Sequence, residues 1–223
     1  MSTEIPGSTA VGGATAGTAV SASSYPVNFH VDHPASPSRF FAVPVLGFVA
    51  RYLMLIPHLI ALYIMYYITA IIQLFAWIPV LFTGKYPEGL YGFVSGYVGW
   101  SARVYAYLLG LSDKYPPFSL GNDPSFPAQV TFERPTESSR FYAIPILGGV
   151  VRYVLMIPHF VILIVLLAVS LLFNLVAWIP VLFAGKYPSW NYSIQSGLIR
   201  RYTRVFGFLY GLTDKYPPFG LGA

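Results

Sequence analysis

The sequence predicts an all-α integral membrane protein of two tandem, pseudo-identical helical modules, with interfacial amphipathic helices and short extended segments. Three observations support this prediction: a weakly charged composition, an internal repeat, and a long uncharged segment in each copy. Of the 223 residues, 56% are hydrophobic and only 9% are charged, whereas soluble domains carry about 25% charged residues. Such a surface cannot be solvated on all sides, so we expect lipid around much of it.

An internal repeat with a constant spacing of 101 residues runs through the chain. The segment AWIPVLF begins at Ala76 and again at Ala177, and DKYPPF begins at Asp113 and again at Asp214. Roughly four in ten aligned positions are identical in this register, which indicates duplication of one structural unit.

The repeat also predicts the domain boundaries. We expect module one at residues 25–120, a linker at residues 121–125 and module two at residues 126–223. Residues 1–24 are rich in Gly, Ala, Ser and Thr, and they lack the basic start and apolar core of a signal peptide. We therefore expect a disordered tail there, on the cytoplasmic side.

The order of motifs is the same in both copies: RF-x-x-P, RY…IPH, AWIPVLF-x-GKYP and a closing (S/T)DKYPPF. In this the chain resembles an uncharacterised prokaryotic membrane-protein family, described only as a domain of unknown function. The resemblance covers nearly everything after residue 25. It implies a membrane protein that often occurs in tandem copies, and it carries no assigned activity and no catalytic residues.

The longest uncharged segments are residues 59–82 and 160–183, each of 24 residues. As helices they measure about 36 Å, enough to cross a hydrocarbon core of about 30 Å. Pro57 and Pro158 suit the first turn of such a helix. A Gly-Lys-Tyr-Pro sequence follows each segment and predicts the helix end.

The number of crossings depends on the preceding segment, residues 40–56, which could lie in the interface or form a short additional crossing. Lys85 and Lys186 flank equivalent positions, and positive charge favours the cytoplasmic side. Two crossings per module would keep both copies in the same orientation. We therefore predict two crossings joined by a sharp turn at residues 56–58, with the termini and linker in the cytoplasm.

A third apolar segment covers residues 90–111 and 191–212, and in module two it contains three arginines. Because arginine is costly at the bilayer centre, we predict amphipathic helices in the interface, with arginine directed to lipid phosphates. The net charge of +5 favours anionic lipids as partners. The predicted lipid-headgroup contacts are Arg51, Arg152, Arg103, Arg200, Arg201, Arg204, Lys85 and Lys186.

His58 and His159 are equivalent in the repeat and form the candidate cofactor site. One hypothesis is that they are the two axial ligands of a haem between the halves. The alternative, which we favour, is that each histidine lies beside a helix-starting proline and contacts water or headgroups. We therefore predict no cofactor and no metal site.

The remaining residues argue against catalysis and against proton-coupled transport. The chain has no cysteine, and none of its eight acidic residues falls inside an apolar segment, although carriers of that class rely on carboxylates within the membrane. The Asp-Lys pairs at Asp113 and Asp214 are interpreted as local turn and ion-pair devices.

The predicted function is a non-catalytic scaffold or accessory subunit of a larger membrane complex, without enzymatic activity or nucleic-acid binding. A small channel or carrier with a site between the two repeats is the alternative, and a haem-binding electron carrier is the third. We expect a multi-pass protein of the prokaryotic inner membrane.

Overall fold

The computed structural model describes residues 25–34, 36–43 and 45–220. The predicted disordered tail, residues 1–24, lies outside the described residues, as do residues 221–223. The predicted cytoplasmic location of the two termini therefore stays a prediction.

Each module contains one strand, one short helical turn, one long helix and one helix of 21 residues, in that order. The protein is therefore predominantly helical, as predicted, with one small sheet. Module one contains β1 (Val27–Val31), α1 (Arg39–Ala42), α2 (Leu46–Thr83) and α3 (Glu88–Leu108). Module two contains β2 (Ala128–Phe132), a 3₁₀ turn (Phe141–Ala143), α4 (Leu147–Ala184) and α5 (Ser189–Leu209).

The long helices continue through the prolines that were expected to start them. Helix α2 has 38 residues and includes Pro57, and α4 includes Pro158 in the same way. The predicted turn at residues 56–58 is therefore wrong, and so are two crossings per module joined there. Proline removes one hydrogen bond of the helix, and apolar helices tolerate this loss where neighbouring groups satisfy the freed carbonyl.

The ends of the long helices agree with the predicted stop signals. Gly84 follows α2 with a φ of 70°, and Gly185 follows α4 with a φ of 64°. This left-handed conformation suits glycine and terminates a helix. At the other end, a Cβ on Gly47 would clash with the carbonyl oxygen of Phe41. Glycine thus lets α1 fold tightly against the first turn of α2.

The two modules exchange their strands. β1 pairs with β2 in an antiparallel register centred on Phe29 and Val130, which are equivalent positions of the repeat. β1 packs against α5 of the other module, and β2 packs against α3. The sequence predicted short extended segments but not their pairing, and the pairing places a pseudo-twofold axis at the centre of the sheet.

The helices α3 and α5 form the interior, between the sheet and the two long helices. Residues 45–51, at the beginning of α2, lie beside residues 171–181 of α4. Residues 146–153, at the beginning of α4, lie beside residues 66–80 of α2. Because the beginning of each long helix lies near the later part of the other, α2 and α4 run in opposite directions.

Within the described residues, α2 and α4 are the two helices that are long and apolar enough to cross a membrane. Only 17% of the most apolar stretch of α2 is buried, and 11% of that of α4. The core helix of a soluble protein would be mostly buried. An exposed apolar surface of this extent is typical of contact with lipid or with another protein.

The exchanged strands predict a specific disulfide. Asn28 pairs directly with Thr131 across the sheet, and directly paired residues have Cα atoms about 4.5–5.5 Å apart, within the range of a disulfide. In this cysteine-free chain, Asn28→Cys with Thr131→Cys should therefore cross-link on mild oxidation, as measured by mass spectrometry of a tryptic digest. Asn28→Cys with Gln129→Cys is the control, because this diagonal pair is about 7–8 Å apart. Equal cross-linking of both pairs would contradict the register.

Candidate functional site between the modules

A buried ion pair joins the beginning of α2 to the segment that follows α3. Nη2 of Arg51 donates a hydrogen bond to the Asp113 carboxylate, and Nη1 donates to the carbonyl oxygens of Tyr107 at 2.5 Å and Ser112 at 2.8 Å. The second carboxylate oxygen of Asp113 accepts from the backbone N–H of Ser38 at 2.6 Å. The planar fork of arginine suits such a set of acceptors. We call this arrangement the arginine clamp.

Module two contains the same clamp at the equivalent positions. Arg152 donates to the Asp214 carboxylate and to the carbonyl oxygens of Phe208 and Thr213. Asp214 accepts from the backbone N–H of Ser139 at 2.5 Å. The two aspartates thus form ion pairs, as interpreted, but each pairs with a distant arginine and not with the adjacent lysine. A spacing of 62 residues between an intrahelical arginine and the aspartate, repeated in both copies, is the sequence signal that could have revealed the clamps.

Aromatic rings enclose both guanidinium groups. The Arg51 guanidinium carbon lies 4.5 Å from the ring centre of Phe41 and 4.8 Å from that of Tyr107. Arg152 lies 4.4 Å from the ring centre of Tyr142 and 4.8 Å from that of Phe208. Both arginines are buried and were expected to contact lipid headgroups. The clamp instead directs them into the protein, because a desolvated guanidinium requires a carboxylate and hydrogen-bond acceptors.

The candidate haem ligands lie in separate aromatic pockets, one in each module. The His58 ring stacks on Phe118 with ring centres 3.7 Å apart, and its Nδ1 accepts a hydrogen bond from the Trp100 indole at 3.0 Å. His159 stacks on Phe219 at 4.5 Å, and Arg201 lies 3.1 Å from its Nδ1. Both histidines are fully buried. The expected contact with headgroups or water at a helix start is therefore wrong for both histidines.

The arginines of α3 and α5 also point inward rather than toward lipid. Arg204 and Arg200 donate to the β1 carbonyl oxygens of Val27 and Phe29, and Arg103 donates to the carbonyl oxygen of Ser119. Burial lowers the pKa of these guanidinium groups and that of Arg201, which nevertheless stay charged.

The two helices are therefore interior elements and not interfacial amphipathic helices. β1 and the segment after α3 supply carbonyl oxygens as the acceptors that lipid phosphates were expected to supply. Lys85 and Lys186, by contrast, are exposed. Their predicted contact with headgroups stays a prediction.

Two grooves lie between the modules and are related by the pseudo-twofold axis. The larger groove has a volume of about 1050 Å³ and lies between the beginning of α4 and the later part of α2. The smaller groove, of about 290 Å³, lies between the beginning of α2 and the later part of α4. Arg152 contributes to the wall of the larger groove and Arg51 to that of the smaller one. The remaining lining is mainly apolar, so the grooves suit apolar ligands better than charged ones.

Each long helix has one amide side chain at the same position of the repeat, and this side chain lines one of the grooves. Gln73 donates to the Tyr86 hydroxyl and to the carbonyl oxygen of Tyr210, both at 3.0 Å. Asn174 accepts a hydrogen bond from Asn191 at 3.1 Å. These amides connect the long helices to interior elements and were missed by sequence reasoning, which considered only charged residues and histidines.

The described residues contain no group of three or more His, Cys, Asp or Glu side chains that could hold a metal ion. The two carboxylates closest to the grooves, Asp113 and Asp214, are each occupied by an arginine and a backbone N–H. The arrangement is suited to holding segments together and not to proton transfer.

The clamp predicts a large difference between two arginine substitutions. Arg51→Ala should lower the free energy of unfolding by about 3–5 kcal/mol, because it leaves the Asp113 carboxylate and two carbonyl oxygens without their donor. The exposed Arg140→Ala should change it by less than about 0.5 kcal/mol. Thermal unfolding of both variants in detergent, followed by near-UV circular dichroism, measures the difference. Equal unfolding temperatures would contradict the structural role of the clamp.

The comparison with known proteins agrees with the duplication. Residues 46–119 and 148–220 each match the family described as "Domain of unknown function (DUF4389)". No curated protein and no solved structure matches the chain. The two matched segments run from the long helix of each module to the aromatic residues that cover the buried histidine, and they include the arginine and the aspartate of both clamps. The chain therefore belongs to this family of unknown function and contains two tandem copies of its domain.

Proposed function

We propose that the protein is a non-catalytic, membrane-embedded scaffold or accessory subunit of a larger complex in the prokaryotic inner membrane, surrounded by anionic lipid. The main support is that buried polar side chains bond within the chain, whereas the outer surface of the long helices is mainly apolar. The clamps, the two buried histidines and the arginines of α5 bond to other parts of the same chain. The long helices meanwhile present apolar side chains to their surroundings.

A cluster of tyrosines on α2 supports contact with a partner protein. Tyr63, Tyr66 and Tyr67 are exposed, and the hydroxyls of Tyr63 and Tyr67 are 2.8 Å apart. The equivalent positions of α4 are Ile164, Leu167 and Ala168. Lipid would suit both helices equally, whereas a partner that offers hydrogen bonds would contact only the tyrosine cluster.

A carrier with a site between the repeats is the second candidate, and the larger groove supports it. Its volume of about 1050 Å³ is at the upper end of the range for small-molecule sites, about 300–1000 Å³. Several exposed apolar side chains line it, among them Phe75, Ile78 and Ile146. The groove therefore opens toward the apolar exterior, and an acyl chain or a similar apolar ligand would fit its lining.

The tyrosine cluster yields a test of the scaffold proposal. Tyr63→Phe with Tyr67→Phe should weaken the complex with a partner by about 0.6–2 kcal/mol, since hydrogen bonds between helices in lipid have about this strength. The complex should lose mass on native electrophoresis in mild detergent, while Tyr52→Phe, an exposed tyrosine of α2 outside the cluster, should leave it unchanged. A wild-type protein that migrates as a single chain would contradict the proposal.

Gly149 yields a test of the carrier proposal. It lines the larger groove, and a Cβ at this position would meet no atom within 4 Å. Gly149→Phe should therefore add a ring at the wall of the groove and reduce the lipid that co-purifies, as measured by native mass spectrometry. Gly92→Phe is the control, because Gly92 on α3 has the same free space and lies outside the residues that line the groove. Equal lipid binding by both variants would count against a ligand in the groove.

A further inference from the structure

The position of the small sheet constrains how the protein can lie in a membrane. Arg204 bonds to the carbonyl oxygen of Val27, and Tyr192 bonds to that of Val31. β1 therefore extends along the middle of α5, and by the pseudo-twofold axis β2 extends along the middle of α3. The two strands thus lie over the central parts of α3 and α5, not at their ends.

Helix α2 lies alongside α3 on the side away from the sheet. Arg51 near the beginning of α2 contacts the end of α3 at Tyr107, and His58 contacts Trp100 farther back along α3. The two helices are therefore antiparallel neighbours. The sheet lies at the level of the middle of the long helices and not beyond either end.

A perpendicular crossing would consequently place the sheet within the hydrocarbon layer. Its outward side exposes His30 and Thr131, and the exposed Asp32 and Glu133 directly follow the two strands. Nε2 of His30 lies 3.4 Å from Oδ1 of Asp32, and the two side chains are 57% and 73% exposed. Charged side chains at the bilayer centre are unfavourable and normally face the interior of a bundle. This side of the protein requires water.

The length and ends of α2 also disagree with a perpendicular crossing. Thirty-eight residues form a helix of about 57 Å, almost twice the thickness of a hydrocarbon core. Leu46 at one end is 56% exposed and Phe82 at the other is 74% exposed. Both ends of the helix therefore require an apolar environment, which one crossing cannot provide.

From these observations we propose that α2 and α4 lie in the plane of one leaflet of an anionic bilayer, and that the sheet lies in the water next to that leaflet. The protein would then be embedded from one side, and the pseudo-twofold axis would lie along the membrane normal. Both modules have the same orientation, as the positive-inside rule favours. The inference replaces the predicted multi-pass arrangement and rests on the proposed membrane location.

Exposed cations at the helix ends complement the lipid headgroups in this arrangement. The Nε atom of Arg140 lies 3.6 Å from the position that a Cβ on Gly84 would take, next to Lys85. After α4, in the same way, the Nη2 atom of Arg39 lies 3.6 Å from the position that a Cβ on Gly185 would take, next to Lys186. Related by an axis along the membrane normal, the two pairs lie at the same depth, where anionic phosphates are available.

Single cysteines in the full chain test this proposal, since the chain contains no cysteine of its own. Lys85→Cys, Lys186→Cys and Thr131→Cys would be treated with a membrane-impermeant maleimide in intact cells and in inside-out vesicles. All three sites are exposed in the structure, so the substitutions leave the core unchanged. Labelling after detergent solubilisation confirms that each cysteine is reactive.

In-plane embedding predicts that all three cysteines label from one side and remain unlabelled from the other. Labelling of Lys85→Cys and Lys186→Cys from opposite sides would overturn the proposal, as would a Thr131→Cys that labels only in detergent. Extraction of membranes with alkaline carbonate tests the proposed membrane location separately from the in-plane arrangement. Release into the soluble fraction would contradict both proposals, whereas opposite-side labelling of a retained protein would contradict only the in-plane arrangement.

Discussion

The arginine clamp is the interaction on which the arrangement of each module depends. Arg51 lies on the buried side of a helix that has no other arginine, lysine or acidic residue. Desolvation of its charge costs several kcal/mol unless a carboxylate and further acceptors compensate. Asp113 and two carbonyl oxygens provide this compensation. They hold the segment after α3 against the beginning of α2, which in turn brings Phe118 onto the ring of His58. One buried charge thus organises both ends of the module.

Duplication makes two such modules, and strand exchange makes them a single unit. β1 and β2 each complete the interior of the other module, because each strand packs mainly against the 21-residue helix of the other module. The copies have nevertheless diverged while retaining the geometry. Trp100 and Arg201 occupy equivalent positions, and each places an N–H group at Nδ1 of the buried histidine. A hydrogen-bond donor is therefore the common feature at this position, whereas its charge differs between the modules.

The arginines of α5 bond to β1 within the protein, whereas the long helices expose mainly apolar side chains. This distribution explains why the arginines of α5 were wrongly expected to contact lipid phosphates. In an isolated helix, Arg200 and Arg204 would require lipid headgroups or water, whereas here the strand of the other module supplies carbonyl oxygens. The acidic residues at the strand ends and the basic residues at the helix ends remain exposed, and they define which surfaces require water.

Local signals in the sequence were sufficient for the repeat, the helical character, the apolar segments, the helix ends at Gly84 and Gly185, and the extended segments that become β1 and β2. These features follow from the composition and backbone preferences of neighbouring residues. Continuity of α2 through Pro57 could not be predicted, because a proline ends or only interrupts a helix according to what surrounds the freed carbonyl. The pairing of β1 with β2 joins residues about 101 positions apart, as for Phe29 and Val130. The ion pair of Arg51 with Asp113 joins residues 62 positions apart. Only the tertiary structure decided these contacts, because a buried charge or strand specifies the kind of partner it needs but not where along the chain that partner lies.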